Sequence, residues 1–200
     1  MKKVVAPYLA LTLLILGCNK GIETELGQDL IIQDIFTPSE VKSLTKILSL
    51  YQNKILTEYS NEKDFTIAYR HYLNHLSQFE TTAEAYREAK INRENYNEIY
   101  DEMIGSGLFE AFFSTDTVYL SQTSEYGIRY HVRRDGKYAQ LLNALAENDT
   151  VYASHVKSLQ IVGDFQPWII ATLIHNNEDY DLTDQKVQLF YMLTLLKPYK

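Results

Sequence analysis

The chain has 200 residues, with 19 basic against 26 acidic side chains for a formal net charge of −7, and one cysteine. That balance argues against nucleic acid as a partner and against electrostatic adhesion to anionic lipid, since both favour basic surfaces. A single cysteine excludes an internal disulfide, so the folded part must be held by its core. Hydrophobic residues make up 46% of the chain against only eight glycines and four prolines, a composition that favours helices over many short strands.

The N-terminus reads Met1-Lys2-Lys3, then an apolar run from Val4 to Leu16, then Gly17-Cys18. A positive start, a short apolar stretch and a small residue before the cut describe a secretory signal. The run is too short for a bilayer core that needs about 20 residues, and Pro7 weakens it further as a span. Ile15-Leu16-Gly17-Cys18 resembles the lipobox of bacterial lipoproteins. The resemblance implies cleavage after Gly17, diacylglycerol on the Cys18 sulfur and an amide-linked acyl chain on its new N-terminus. Two or more acyl chains anchor a protein firmly, so membrane lipid held through Cys18 is the first expected partner. Loss of residues 1–17 removes Lys2 and Lys3 and leaves 17 basic against 26 acidic side chains, a formal charge of −9. Asn19 stands where some bacteria use Asp to retain lipoproteins in the inner membrane, which favours the outer membrane.

Residues 18–36, with Gly21, Gly27 and the patch Leu30-Ile31-Ile32, read as a lipidated tether whose patch could dock on the body. Residues 37–200 read as one helical domain. "TPSE" then places Thr37 as N-cap, Pro38 at the first helical position and Glu40 three residues on, a capping box. Val41, Leu44, Leu48, Tyr51 and Ile55 follow as the stripe of an amphipathic helix. The pattern restarts at Ser60 or Asn61 with Phe65, Tyr69, Tyr72, Leu76 and Phe79, and again near Thr82. Tyr96, Ile99, Tyr100, Met103 and Ile104 form another stripe, which Gly105-Ser106-Gly107 interrupts.

Residues 108–121 (LFEAFFSTDTVYLS) and 141–154 (LLNALAENDTVYAS) match at seven of fourteen positions with an offset of 33. That period suits stacked helix–turn–helix units. In each copy the apolar run is expected to end one helix, and Asp116 or Asp149 to cap the next. Between the copies, "YGIRYHVRRDGKY" alternates as a strand pair turning at Asp135-Gly136 would, while the repeat argues for helix. Gln166-Pro167-Trp168 opens an apolar helix, and a last helix covers about Leu182–Leu196. The fold class expected is all-α, with about seven or eight amphipathic helices in a compact or short solenoid-like array of hairpins, and a candidate β-hairpin near 121–138.

Chemistry-bearing patterns are sparse. His71 and His75 lie four apart on a predicted helix and could share a metal, but nothing nearby completes the ligand set. "GSG" at 105–107 lacks the flanks of a nucleophile elbow, and no phosphate-cradling glycine loop occurs, so no cofactor is expected. Glu94, Glu98, Asp101 and Glu102 read as a solvated acidic face. Most tyrosines lie on or beside apolar stripes and read as core. "DTV" at 116–118 and 149–151 resembles the O-glycosylation acceptor of some Gram-negative exported proteins, which would make Thr117 and Thr150 acceptors. The function expected is a membrane-anchored envelope lipoprotein that binds a protein as an accessory or scaffold module. The alternatives are an envelope hydrolase or metal-dependent enzyme, and an immunity-type inhibitor.

Overall fold

The helix Gln185–Leu195 lies at the centre, with Val187 through Leu195 all buried. A helix buried around its whole circumference needs cover on every side, and the rest of the chain supplies it. A computed structural model describes residues 25–59, 61–81, 84–85, 88, 96–120, 125–165 and 167–197. Ten α-helices are described: α1 (Glu25–Gln28), α2 (Leu30–Ile35), α3 (Pro38–Glu58), α4 (Phe65–Leu76), α5 (Asn97–Gly105), α6 (Leu108–Phe112), α7 (Lys137–Asn148), α8 (Ala153–Val162), α9 (Pro167–His175) and α10 (Gln185–Leu195). Strands β1 (Phe113–Leu120) and β2 (Glu125–Val132) form one antiparallel hairpin between α6 and α7. The fold is all-α with a small β-hairpin.

Local rules explain most helix ends. Thr37 accepts the Glu40 N–H while Glu40 accepts the Thr37 N–H at 2.7 Å, closing the capping box of α3. Leu44, Leu48, Tyr51 and Ile55 are buried along that helix, as the stripe requires. The start of α4 falls later than Ser60 or Asn61, because Asp64 is the residue whose carboxylate accepts the Thr66 and Ile67 N–H groups. A second capping box joins Thr81 and Glu84, while most of the helix expected after Thr82 lies outside the described residues. Gly107 takes φ of 77°, which lets the chain break between α5 and α6.

Three expectations are corrected. Residues 25–36 belong to the body rather than to a tether: Leu26, Ile32 and Phe36 are buried, and the Leu26 N–H donates to Gln185 Oε1 at 3.0 Å; of the patch expected to dock, Ile32 and Ile31 do so and Leu30 is exposed. The Asp29 carboxylate caps α2 and meets Lys186 at 2.7 Å, so α10 is fastened to this segment by charge as well as by packing. The two repeat copies diverge. Asp149 caps a 3₁₀ turn (Thr150–Tyr152) leading into α8, whereas Asp116 sits inside β1, paired with Arg129. The hairpin is therefore 113–132, not 121–138, and Asp135-Gly136 instead carries the chain from β2 into α7. Gly136 is required there by space: a Cβ would sit 2.5 Å from the Ala111 carbonyl oxygen.

Buried polar groups are few and mostly partnered. Gln188 receives the Gln52 amide at 2.7 Å and donates to Leu182 O at 2.8 Å. Thr194 donates to Phe190 O and receives the Tyr138 hydroxyl. His155 is fully buried, with Nε2 2.7 Å from the Tyr180 hydroxyl, and burial pushes its pKa down to about 4.

Two outcomes test this core. The folded chain keeps His155 neutral while the unfolded chain protonates it near its ordinary value of about 6.5. The contribution is thus complete above that value and is lost as pH falls toward 4, by about 3 kcal/mol. Urea unfolding at pH 7 and pH 4 should show wild type losing that much more than His155→Gln; equal losses would disprove neutral burial. Separately, Gly136→Ala should cost about 2 kcal/mol by overpacking against Ala111. An unchanged urea midpoint would show that the β2–α7 turn is not packed as described.

Candidate interaction site

The hairpin sequence alternates, and the alternation sorts its two faces. In register, Phe113 pairs with Val132, Thr115 with Tyr130, Thr117 with Ile128 and Tyr119 with Tyr126, so these eight residues share one face. At the base, Phe113 and Val132 are buried. Phe113 lies against Phe109 and Phe112 of α6, and Phe112 in turn meets Phe36 edge-on. Tyr130 packs edge-on against Phe109 at 5.7 Å. Beyond that point the body no longer covers this face. Ile128 is 42% exposed, Tyr119 58% and Tyr126 76%.

Backbone geometry explains the tip. The Arg133 N–H donates to Phe112 O at 2.9 Å, which makes Phe112/Arg133 a hydrogen-bonded pair. Alternation from there leaves Tyr119/Tyr126 a non-hydrogen-bonded pair, in which side chains approach most closely. The two rings meet edge-to-face at 5.5 Å. The same alternation turns the N–H and C=O groups of Thr115, Thr117 and Tyr119 outward on one edge, and those of Tyr126, Ile128 and Tyr130 outward on the other. Among the described residues no third strand pairs with either edge. Eight residues per strand make the ribbon about 25 Å long.

Toward the base the opposite face is polar. Asp116 stands across from Arg129, and Ser114 across from His131. His131 Nε2 lies 3.2 Å from Asp116 Oδ2, and Nδ1 lies 3.6 Å from Asp164 Oδ2 in the turn between α8 and α9. Asp164 also accepts the Phe165 N–H at 2.8 Å and pairs with Lys197, which is buried just beyond α10. Burial pushes the Lys197 ammonium down, while Asp164 favours its charged form. Ile161, Val162 and Trp168, all exposed, lie on either side of that turn in the chain.

His71 and His75 do share the exposed side of α4, but each meets a different carboxylate. His71 Nδ1 is 3.4 Å from Glu62 and His75 Nε2 is 4.0 Å from Glu88. Among the described residues, no group of three His, Cys, Asp or Glu side chains could hold a metal ion. Thr117 is exposed on the ribbon and Thr150 is exposed in its turn. Cys18 and Glu94 lie outside the described residues. Glu98, Asp101 and Glu102 border depressions of about 460 and 600 Å³ between α3 and α5, with Lys46 paired to Glu102. Glu58 borders the smaller one, and there burial first, with Glu88 adding, pushes its pKa up against the lowering effect of His75. Of the tyrosines on or beside the apolar stripes, Tyr51, Tyr69, Tyr72, Tyr138 and Tyr152 are buried, while Tyr100 is half-buried at the core edge. Tyr119, Tyr126 and Ile128 escaped notice in the sequence, where period-two alternation was the available signal.

Comparisons with protein families, with characterised proteins and with solved structures find no match for this chain.

Proposed function

We propose that this protein is a lipid-anchored binding module of the bacterial cell envelope, which grips a partner protein with its hairpin. The observation that carries the reading is the aromatic face of the ribbon, bare at Tyr119, Tyr126 and Ile128. A two-stranded ribbon is marginal alone in water, and apolar rings at its tip raise the cost of leaving it uncovered. Aromatic anchors are also the side chains enriched where interface energy concentrates. The open edges add a second mode of attachment, since a partner strand can complete the ladder.

Anchorage rests on the lipobox-like Ile15-Leu16-Gly17-Cys18, with Asn19 favouring the outer membrane. Among the described residues no helix is long and apolar enough to cross a membrane. An acylated Cys18 would stand only seven residues before the packed segment that begins at Glu25. At an extended reach of about 3.5 Å per residue, the body would remain within about 25 Å of the bilayer surface. A partner in the same envelope layer would then meet the ribbon at high effective concentration.

Crosslinked recovery of the tagged full chain from its own membranes tests both halves. Wild type should sediment with membranes and bring one stoichiometric protein. The double variant Tyr119→Ser/Tyr126→Ser should stay folded and membrane-bound yet recover at least about tenfold less partner, the loss of one or two aromatic anchors. Undiminished recovery would remove the hairpin as the contact. Cys18→Ala should move to the soluble fraction; if it sediments as wild type does, lipid anchoring is wrong.

A further inference from the structure

On the polar face of the ribbon, His131 faces both the arm and the body. His131 stands between two carboxylates, Asp116 at 3.2 Å on Nε2 and Asp164 at 3.6 Å on Nδ1. One belongs to the ribbon, the other to the α8–α9 turn. Asp164 is itself held in place by Lys197 and by the Phe165 N–H, so it is a fixed point rather than a loose surface acid. The remaining charges nearby are Arg129, across from Asp116, and Arg134, whose guanidinium lies against Gly163. A Cβ at Gly163 would come within 2.4 Å of that guanidinium, so Arg134 lies close against the same turn.

A neutral imidazole has one N–H and one lone pair. It can donate to one of the two carboxylates, and its lone pair then faces the other. An imidazolium has two N–H donors, one for each.

We propose that His131 is a proton-controlled clasp that sets the tilt of the aromatic ribbon on the helical body. Protonated, it bridges Asp116 and Asp164 and holds the ribbon in one pose. Neutral, it keeps one carboxylate, and the ribbon pivots about its buried base at Phe113 and Val132. The proposal rests on the reading of the hairpin as the contact arm, because the clasp then regulates how that arm is presented.

The pose can be read without any partner. In the full chain carrying Cys18→Ala, Thr117→Cys and Gln160→Cys place spin labels on the ribbon and on α8. Distances are measured at about pH 5.5 and about pH 8, on either side of the histidine range. Wild type at His131 should give one narrow distance at the lower pH, widening roughly twofold at the higher, as a hinge released at one point would. His131→Gln, which never carries charge, should be wide at both. Asp164→Asn would also strip Lys197 of its carboxylate, so the second variant is Asp116→Asn, which should narrow the difference between the two pH values. Melting at each pH confirms that every variant is folded. A distribution independent of pH, or a response surviving in His131→Gln, overturns the clasp. A pH-dependent pose together with a pull-down that recovers no partner would leave the clasp standing and remove the binding role.

Discussion

Full burial of α10 is the constraint on which the rest of this structure depends. From Val187 to Leu195 every residue is buried, so the helix is stable only while other elements cover every side of it. Each large apolar side chain buried this way contributes about 1.5–3 kcal/mol before entropy is counted. The covering elements come from both ends of the chain: α1, α3, α7 and α9 all pack on it. Its polar side chains do not break the cover, because Gln188 and Thr194 are each satisfied by neighbours from other segments. The rings of Tyr138, Tyr152, Tyr180 and Tyr69 close around Phe190 and Tyr191. Tyrosine suits this position because its ring fills volume while its hydroxyl finds a carbonyl, as Tyr191 does at Leu173 O.

What the sequence made legible were the features decided within a turn or two of chain. The Thr37–Glu40 box, the stripe of α3 and the break at Gly107 depend on neighbours three or four residues away. Residues 25–36 were misread because their helices are short. Leu26, Ile32 and Phe36 are buried and Ile31 and Ile35 pack partly on the core, while Leu30 is exposed, so no clear period forms. The repeat misled for a deeper reason. Asp-Thr-Val-Tyr is ambivalent, with a β-branched pair and an aromatic suiting a strand and an Asp suiting a cap. After Tyr152 the chain offers the helical sequence ASHVKSLQIV, and Asp149 caps the turn that leads into it. After Tyr119 it offers the alternating EYGIRYHV, and Asp116 joins a ladder instead. Identical tetrapeptides took different forms because their downstream partners differed.

The candidate site was legible only in part, again for a physical reason. Alternation identifies a strand pair and divides it into two faces, but it does not say which face the body will cover. Thr115, Thr117, Ile128 and Val132 share a face, yet only Val132 is buried, because α6 reaches no further than the base. His131 was equally opaque. Its partners are 15 and 33 residues away in sequence, and they meet only because β1 folds back on β2 while α8 and α9 turn beside them.

Asp164 connects the covered helix to the uncovered ribbon. One carboxylate binds Lys197, the buried cation just past the end of α10, and also faces His131 on the arm. Lys197 tolerates burial because that carboxylate is there, and the carboxylate is held rigidly because Lys197 needs it. The ribbon thus faces a turn that is itself tied to the end of the helix that organises the core. A fixed acid at this position gives His131 something firm to pull against. An exposed acid free to rotate would follow the imidazole instead of restraining it, and the tilt of the arm would not respond to a proton.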